Sequence, residues 1–231
     1  MKPLQVVVGG KFACFTRPEM KVERVSYDVM TPSAARGILE AIFWKPAIRY
    51  RIQRITPLKP IQFLQLRRAE VKKKATRIYK ADWKEGREVK TINVDATDKS
   101  KPNKPTVRAL RSTLALKDVA YLIEADIDLV RYGKNEHPAK YRDQFRRRVS
   151  RGQCYTRPYL GCREFSAWFK PTGEEEPAEG TRPLGRMLFD IRYNAVNKDD
   201  NHYDATPHFF FAKLEDGVLH IPQNKYDEIY A

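Results

Sequence analysis

The sequence contains no run of about 18 apolar residues, which excludes a membrane-spanning helix, and the stretch after Met1-Lys2-Pro3-Leu4-Gln5 has no signal-peptide cleavage pattern. Cysteine is scarce. Cys14, Cys154 and Cys162 are odd in number and at spacings that match no zinc motif, so a disulfide framework is not expected and free buried thiols in a reducing compartment are. His202, His208 and His220 stand at no metal-ligand spacing with Asp or Glu, so neither a metal nor a cofactor is expected. No internal repeat of fixed period is present. These absences lead to the expectation of a soluble cytoplasmic protein.

Acid is also in short supply over the first three-quarters of the chain. Residues 1 to 170 carry 38 Lys and Arg against 17 Asp and Glu, a net of +21, whereas residues 171 to 231 carry 6 against 12, a net of −6. A basic excess this segregated repels itself in a compact domain unless a polyanion neutralises it, and nucleic acid phosphate is the commonest such partner. A solvated basic surface without a partner is the plainer alternative. With 42% hydrophobic residues in 231, the chain has enough apolar surface for one large or two small domains, so disorder is not the reading.

The patterning alternates between strand and helix. Leu4 to Val8 reads as a strand, with Gly9-Gly10 marking a bulge or a close approach. Thr31-Pro32 supplies an N-cap and a first-turn proline for a helix, whose apolar residues Ala35, Ile38, Leu39, Ile42 and Phe43 recur at three-four spacing. Pro46 is expected to stop it. Residues 47 to 58 form a strand with Arg49, Arg51 and Arg54 on an outward basic face, and Ile61 to Leu66 forms another. Leu110 to Leu116 and Val119 to Val130 are two further strands. A second helix begins near His137-Pro138, carries Tyr141, Phe145 and Val149 on one face and Lys140, Arg142 and Arg146 to Arg148 on the others, and ends near Gly152. Tyr159 to Phe169 is a last strand candidate. The order strand, helix, strand, strand, helix, strand predicts an α+β fold with a ferredoxin-like, split βαβ domain over residues 1–171. Into it is set a lysine-rich arm at about 72–106, expected to be mobile or a hairpin ordered by RNA. An acidic linker over 172–180 then leads to a small antiparallel β-sheet over 181–231, with one tight hairpin at Asp216-Gly217.

Several ordered blocks are more specific. Phe12-Ala13-Cys14-Phe15-Thr16-Arg17-Pro18 through Ser26-Tyr27-Asp28 is one, and Thr31-Pro32-Ser33-Ala34-Ala35-Arg36-Gly37-Ile38-Leu39-Glu40-Ala41-Ile42 is another. With Trp44-Lys45-Pro46, Arg67-Arg68-Ala69-Glu70-Val71 and Leu160-Gly161-Cys162-Arg163-Glu164-Phe165, they resemble the CRISPR-associated RNA-processing subunit of type I-C systems, the fifth numbered Cas family in its d or c subtype. The resemblance spans nearly the whole chain and is weakest in the arm and the last twenty or so residues. It implies a repeat-associated RNA-binding protein that cuts the repeat RNA without metal and retains the 5′ handle of the mature crRNA. In the Cascade complex its partners would be the large subunit and the backbone subunits.

The family's cutting site is a tyrosine or histidine just before the Trp-Lys-Pro block, with a lysine followed by a histidine at the start of the second helix. Here those positions are Phe43, Lys140 and Tyr141, so only the lysine matches. Cleavage through the 2′-hydroxyl needs a base, a cation for the charge growing on the phosphate, and an acid for the leaving oxygen. Lys140 suits the cation, Tyr141 suits the acid better than the base, and His137 is the remaining base candidate. Each has a plainer role: packing for Tyr141 and Phe43, phosphate contact for Lys140, and helix capping for His137. For RNA binding, the cations interleaved with aromatics stand out: Arg17, Lys21, Arg24 and Tyr27, then Arg36, Trp44 and Lys45, then Arg67, Arg68, Arg146, Arg147 and Arg148. A non-catalytic subunit that only holds the crRNA handle, and a general basic nucleic-acid-binding protein, are the alternative readings.

Overall fold

The computed structural model describes residues 3–20, 22–72, 84–86, 97–98, 101–105, 107–130, 133, 136–197 and 202–230. Lys21 and most of the expected arm at about 72–106 lie outside them. In chain order the elements are β1 (Leu4–Ala13), β2 (Arg24–Val25), α1 (Pro32–Ile42), β3 (Ile48–Pro57), β4 (Phe63–Val71), β5 (Thr97–Asp98) and β6 (Lys101–Pro105). They continue with β7 (Arg108–Leu129), α2 (Pro138–Ser150), β8 (Trp168–Lys170), β9 (Arg182–Asn197), β10 (His202–Glu215), β11 (Val218–His220) and α3 (Asn224–Tyr230). The chain divides into two compact units, Met1–Leu64 with Leu114–Ala231, and Gln65–Thr113.

The first unit is built on a sheet of order β8-β1-β7-β3-β11-β10-β9, antiparallel at every pairing. In β1 the consecutive Val6, Val7 and Val8 are all buried, so both faces of the strand are covered there and the simple alternation is lost. The close approach expected at Gly9 is present: a Cβ there would collide with the Trp168 ring of β8 and the Val119 carbonyl of β7. α1 begins as its sequence dictates, with Thr31 Oγ1 accepting from the Ala34 N–H at 3.3 Å and Pro32 in the first turn. It ends at Ile42, before Pro46, because Phe43 turns to an extended conformation at the C-cap. α2 buries Tyr141, Phe145 and Val149. Its Phe145 meets the Tyr50 ring of β3 edge-on, with centroids 6.0 Å apart.

Four expectations are corrected by the structure. The strands over 110–116 and 119–130 are one 22-residue strand, β7, with Asp118 at φ 49° taking up a local kink; aspartate tolerates that left-handed backbone. The strand candidate over 159–169 shrinks to Trp168–Lys170, because Gly161 sits at φ 81° in a turn pressed against the Cys14 backbone. The C-terminal strands do not form a sheet of their own: β11 pairs with β3 through Leu219 opposite Ile55 and His220 opposite Arg54, so β9 to β11 extend the main sheet. Leu219 is fully buried there, which ties the tail to the common core. Cys154, finally, is exposed, whereas Cys14 and Cys162 are buried.

The Asp216-Gly217 hairpin is as expected, both residues having positive φ (48° and 78°) between the paired Glu215 and Val218. α3 is an element beyond those expected, and its Tyr226 hydroxyl accepts from the Ile52 N–H at 2.9 Å. The basic residues of the outward face of β3 are engaged within the protein, two of the three by carboxylates. Arg49 lies 3.8 Å over the Tyr230 ring, Arg51 pairs with Asp128 at 2.5 Å and Asp227 at 2.6 Å, and Arg54 pairs with Glu124.

In the second unit, the Lys72 N–H donates to the Val107 carbonyl at 2.8 Å, Arg68 bonds Thr113 Oγ1 at 3.3 Å, and β5 and β6 pair antiparallel. The inserted unit therefore begins and ends in paired β-structure and is wider than the expected arm.

Candidate functional site

The start of α2 is set by a proline that cannot donate and a histidine that caps. Pro138 occupies the first helical turn and His137 is the N-cap, its Nδ1 accepting from the Ala139 N–H at 3.2 Å. That bond uses the ring lone pair a general base needs, and places the proton of the neutral imidazole on Nε2. Capping is thus the role the geometry gives His137. One residue earlier, Glu136 holds both remaining candidates: its Oε2 accepts from Lys140 Nζ at 2.6 Å and from the Tyr141 hydroxyl at 2.7 Å. Lys140 Nζ also stands 5.5 Å from the centre of the Tyr141 ring.

The three groups shift one another's protonation. The bonds from Lys140 and then Tyr141 lower the pKa of Glu136, and the bond to Glu136 raises those of Lys140 and Tyr141. Near neutral pH the cluster is a carboxylate, an ammonium and a neutral phenol. Tyr141 is thereby made a still poorer base and stays a proton donor. Phe43 is 3% exposed and packs its ring against that of Tyr141, centroids 6.4 Å apart, while its carbonyl accepts from the Tyr50 hydroxyl at 2.6 Å. The position expected to match a family catalytic residue is a packing position here, and its side chain has no proton to move. Glu136 was missed as a site residue; its i,i+4 spacing to Lys140 was the available signal.

The expected RNA-binding residues separate into two groups. Arg36 is turned inward, bonding Asp190 at 2.8 Å and Glu40 at 3.1 Å, and Asp190 is itself buried. Tyr27 is 1% exposed, with its hydroxyl accepting from the Leu188 N–H at 3.1 Å and Arg17 lying 4.4 Å over its ring. Arg17 also pairs with Asp28 at 3.6 Å, Arg24 with Glu164 at 3.7 Å, and Arg68 with Glu70 at 3.8 Å. Arg148 donates to the Ile42 carbonyl at 3.2 Å and lies over Phe43, and Arg142 is buried rather than on the outer face. These cations are engaged in the fold because a half-buried guanidinium must find acceptors. Trp44, Lys45, Arg67, Arg146 and Arg147, by contrast, are exposed, Arg146 with an exposed partner in Asp143 at 3.8 Å. Trp44 is 51% exposed, although it follows directly on the buried Phe43 at the helix end. Among the described residues no group of three or more His, Cys, Asp or Glu could hold a metal ion.

Fold and site define a mixed α/β protein dominated by an antiparallel sheet, with a lysine-tyrosine-carboxylate cluster at a helix start. The family model Cas_Cas5d, described as CRISPR-associated protein (Cas_Cas5), matches residues 4–222. The chain belongs to this Cas5d family. It is 40% identical over 235 residues to a CRISPR pre-crRNA endoribonuclease Cas5d of Mannheimia succiniciproducens, covering 98% of this chain and 97% of that protein. It is 41% identical over 242 residues to a CRISPR pre-crRNA endoribonuclease Cas5d of Thermus thermophilus, covering 100% and 96%. The fold matches a solved CRISPR-associated protein with a TM-score of 0.63 at 19% identity, over 96% of this chain and 92% of that one. No helix among the described residues is long and apolar enough to cross a membrane.

Proposed function

We propose that the chain is a pre-crRNA endoribonuclease that binds CRISPR repeat RNA, cuts it by metal-independent attack of a 2′-hydroxyl, and keeps the 5′ handle of the mature crRNA as a Cascade subunit. The observation that carries this reading is whole-chain similarity to relatives named for that activity. A ferredoxin-like core is part of the proposal. Its support is the antiparallel order β8-β1-β7-β3, with α1 between β1 and β3 and α2 between β7 and β8, which is the spatial order fourth, first, third, second of a split βαβ unit.

The chemistry follows from the cluster at the start of α2. The 2′-oxygen attacks phosphorus, its proton passing to solvent, and the bond to the 5′-oxygen breaks. Lys140 stabilises the charge that accumulates on the non-bridging oxygens, and Tyr141 donates its proton to the departing 5′-oxygen. In the free protein Glu136 takes the single hydroxyl proton of Tyr141 and one of the three N–H donors of Lys140, so Tyr141 must exchange this acceptor for the leaving oxygen before it can act. The test is incubation of the protein with repeat hairpin RNA in EDTA. Cleavage abolished by one 2′-deoxy substitution at the scissile nucleotide is expected. Uncut RNA at excess protein, with tight binding, would instead identify a non-catalytic holder of the handle.

A further inference from the structure

Beside the C-terminal end of α1 lies an open cleft of about 720 Å³ whose lining joins aromatic rings to guanidinium groups. Three rings, those of Trp44, Tyr155 and Tyr159, are 51%, 81% and 41% exposed, and Arg157 and Arg163 stand among them. Large rings left in water are not held there by packing. The Tyr155-Thr156 backbone is clipped to the helix: both N–H groups donate to the Ala41 carbonyl, at 2.8 and 3.1 Å, using an acceptor that the last turn leaves without a helical partner. The loop is fixed by its backbone, so the exposure of the Tyr155 ring is not needed to hold it.

Gly37 also lines the cleft, in the interior of α1, where glycine destabilises a helix by about 1 kcal/mol relative to alanine. Nothing in the fold requires a glycine there: its φ is helical, and an added Cβ would meet no atom within 4 Å. A bare stretch of helix therefore faces a cleft walled by rings and cations. The one carboxylate in the lining, Glu40, is already paired with Arg36 at 3.1 Å.

We propose that this cleft is a stacking site for an unpaired nucleotide of single-stranded RNA, with the base laid between exposed rings over Gly37 and the flanking phosphates on Arg157 and Arg163. Flat rings accept any base, guanidinium groups pair with phosphate, and the +15 charge of the chain favours a polyanion over a neutral or basic partner. The proposal rests on RNA being the ligand of the protein but is independent of the cutting chemistry, since it uses none of Glu136, Lys140 or Tyr141.

The test uses the full chain and a fluorescent single-stranded oligouridylate, with repeat hairpin RNA as a second probe. Trp44→Ala and Tyr155→Ala should each weaken oligouridylate binding by roughly 5- to 150-fold, the range for loss of one stacked base. Gly37→Leu should do the same by filling the cleft while leaving the melting temperature unchanged or raised, which separates occupation of the cleft from damage to the fold. A 4-thiouridine in the oligonucleotide should crosslink to Trp44, Tyr155 or Tyr159. If the wild type binds both RNAs and the three variants bind them equally well, the stacking site is refuted and RNA binding stands. Wild type that binds neither RNA refutes both. Loss of association with another Cascade subunit in the same variants, with RNA affinity unchanged, would assign the cleft to protein and overturn the proposal.

Discussion

Glu136→Gln is the sharpest perturbation of the proposed cutting site. It keeps the shape and the acceptor oxygen of the side chain but removes the charge that binds Lys140 Nζ at 2.6 Å and the Tyr141 hydroxyl at 2.7 Å. With the carboxylate gone, the raised pKa of Lys140 returns toward its ordinary value and the lysine remains an ammonium at neutral pH. One cation that was neutralised inside the protein then becomes available to phosphate. Each neutralised phosphate adds about 0.7 to 0.9 to the slope of log affinity against log salt, so one extra contact is worth about threefold between 50 and 200 mM salt. Anisotropy titrations of uncleavable 2′-deoxy repeat RNA at several salt concentrations read both quantities. The variant should bind more tightly than wild type at 50 mM, with a steeper slope by somewhat less than one. Superimposable lines would refute the claim that Glu136 withholds Lys140 from RNA.

Tyr141→Phe preserves the ring against Phe43 and removes the proposed acid; cleavage should fall by about 10²- to 10⁴-fold, and a substrate whose leaving 5′-oxygen is replaced by sulfur should recover most of the rate in single-turnover assays. The pH profile follows in sign from the shifts. Raised pKa values mean that Lys140 and Tyr141 keep their protons to higher pH than the free side chains, so the rate measured in single turnover should show no descending limb until above the ordinary range of free lysine and tyrosine. Arg36→Met leaves Asp190 buried without its cation and should lower unfolding stability by about 3 kcal/mol, the low end for a broken buried pair because the arginine is partly exposed. RNA affinity should hardly change. Gly161→Ala places a Cβ against the Cys14 backbone at a φ of 81° and should reduce the melting temperature by several degrees.

The elements legible in the sequence were those whose signals are local. Thr31-Pro32 and His137-Pro138 each announced a helix start, and the Asp216-Gly217 pair announced its hairpin, because capping and positive-φ turns are decided within a few residues. The join of β11 to β3 was not legible, since it depends on residues 55 and 219 meeting across the chain, and no short pattern encodes that pairing. The site divided in the same way. Lys140 and Tyr141 could be named because the family resemblance places its cutting pair at the start of this helix, but the carboxylate that binds both looked like one more surface glutamate. Arg36 and Tyr27 misled for a related reason: a basic or aromatic residue in a basic segment looks available for RNA, and only the fold brings Asp190 and Leu188 to meet them.

Net charge is therefore a poor guide to where a polyanion would lie on this protein. Part of the cationic excess in residues 1 to 170 is spoken for: Arg17, Arg36, Arg51 and Arg54 have carboxylate partners, and four of those partners, Asp190, Asp128, Asp227 and Glu124, come from parts of the chain remote from the arginine they meet. The acidic last quarter is not simply a region apart from the basic one, since its Asp190 and Asp227 neutralise arginines of α1 and β3. Exposed cations gather instead on the outer face of α2, at Arg146 and Arg147, and near the end of α1, at Lys45, Arg157 and Arg163. Phe43, packed on Tyr141, joins the end of α1 to the start of α2. RNA held on these surfaces would run between an aromatic cleft suited to an unpaired base and a lysine-tyrosine pair suited to its backbone, which is the juxtaposition a processing subunit that cuts and then retains its product needs.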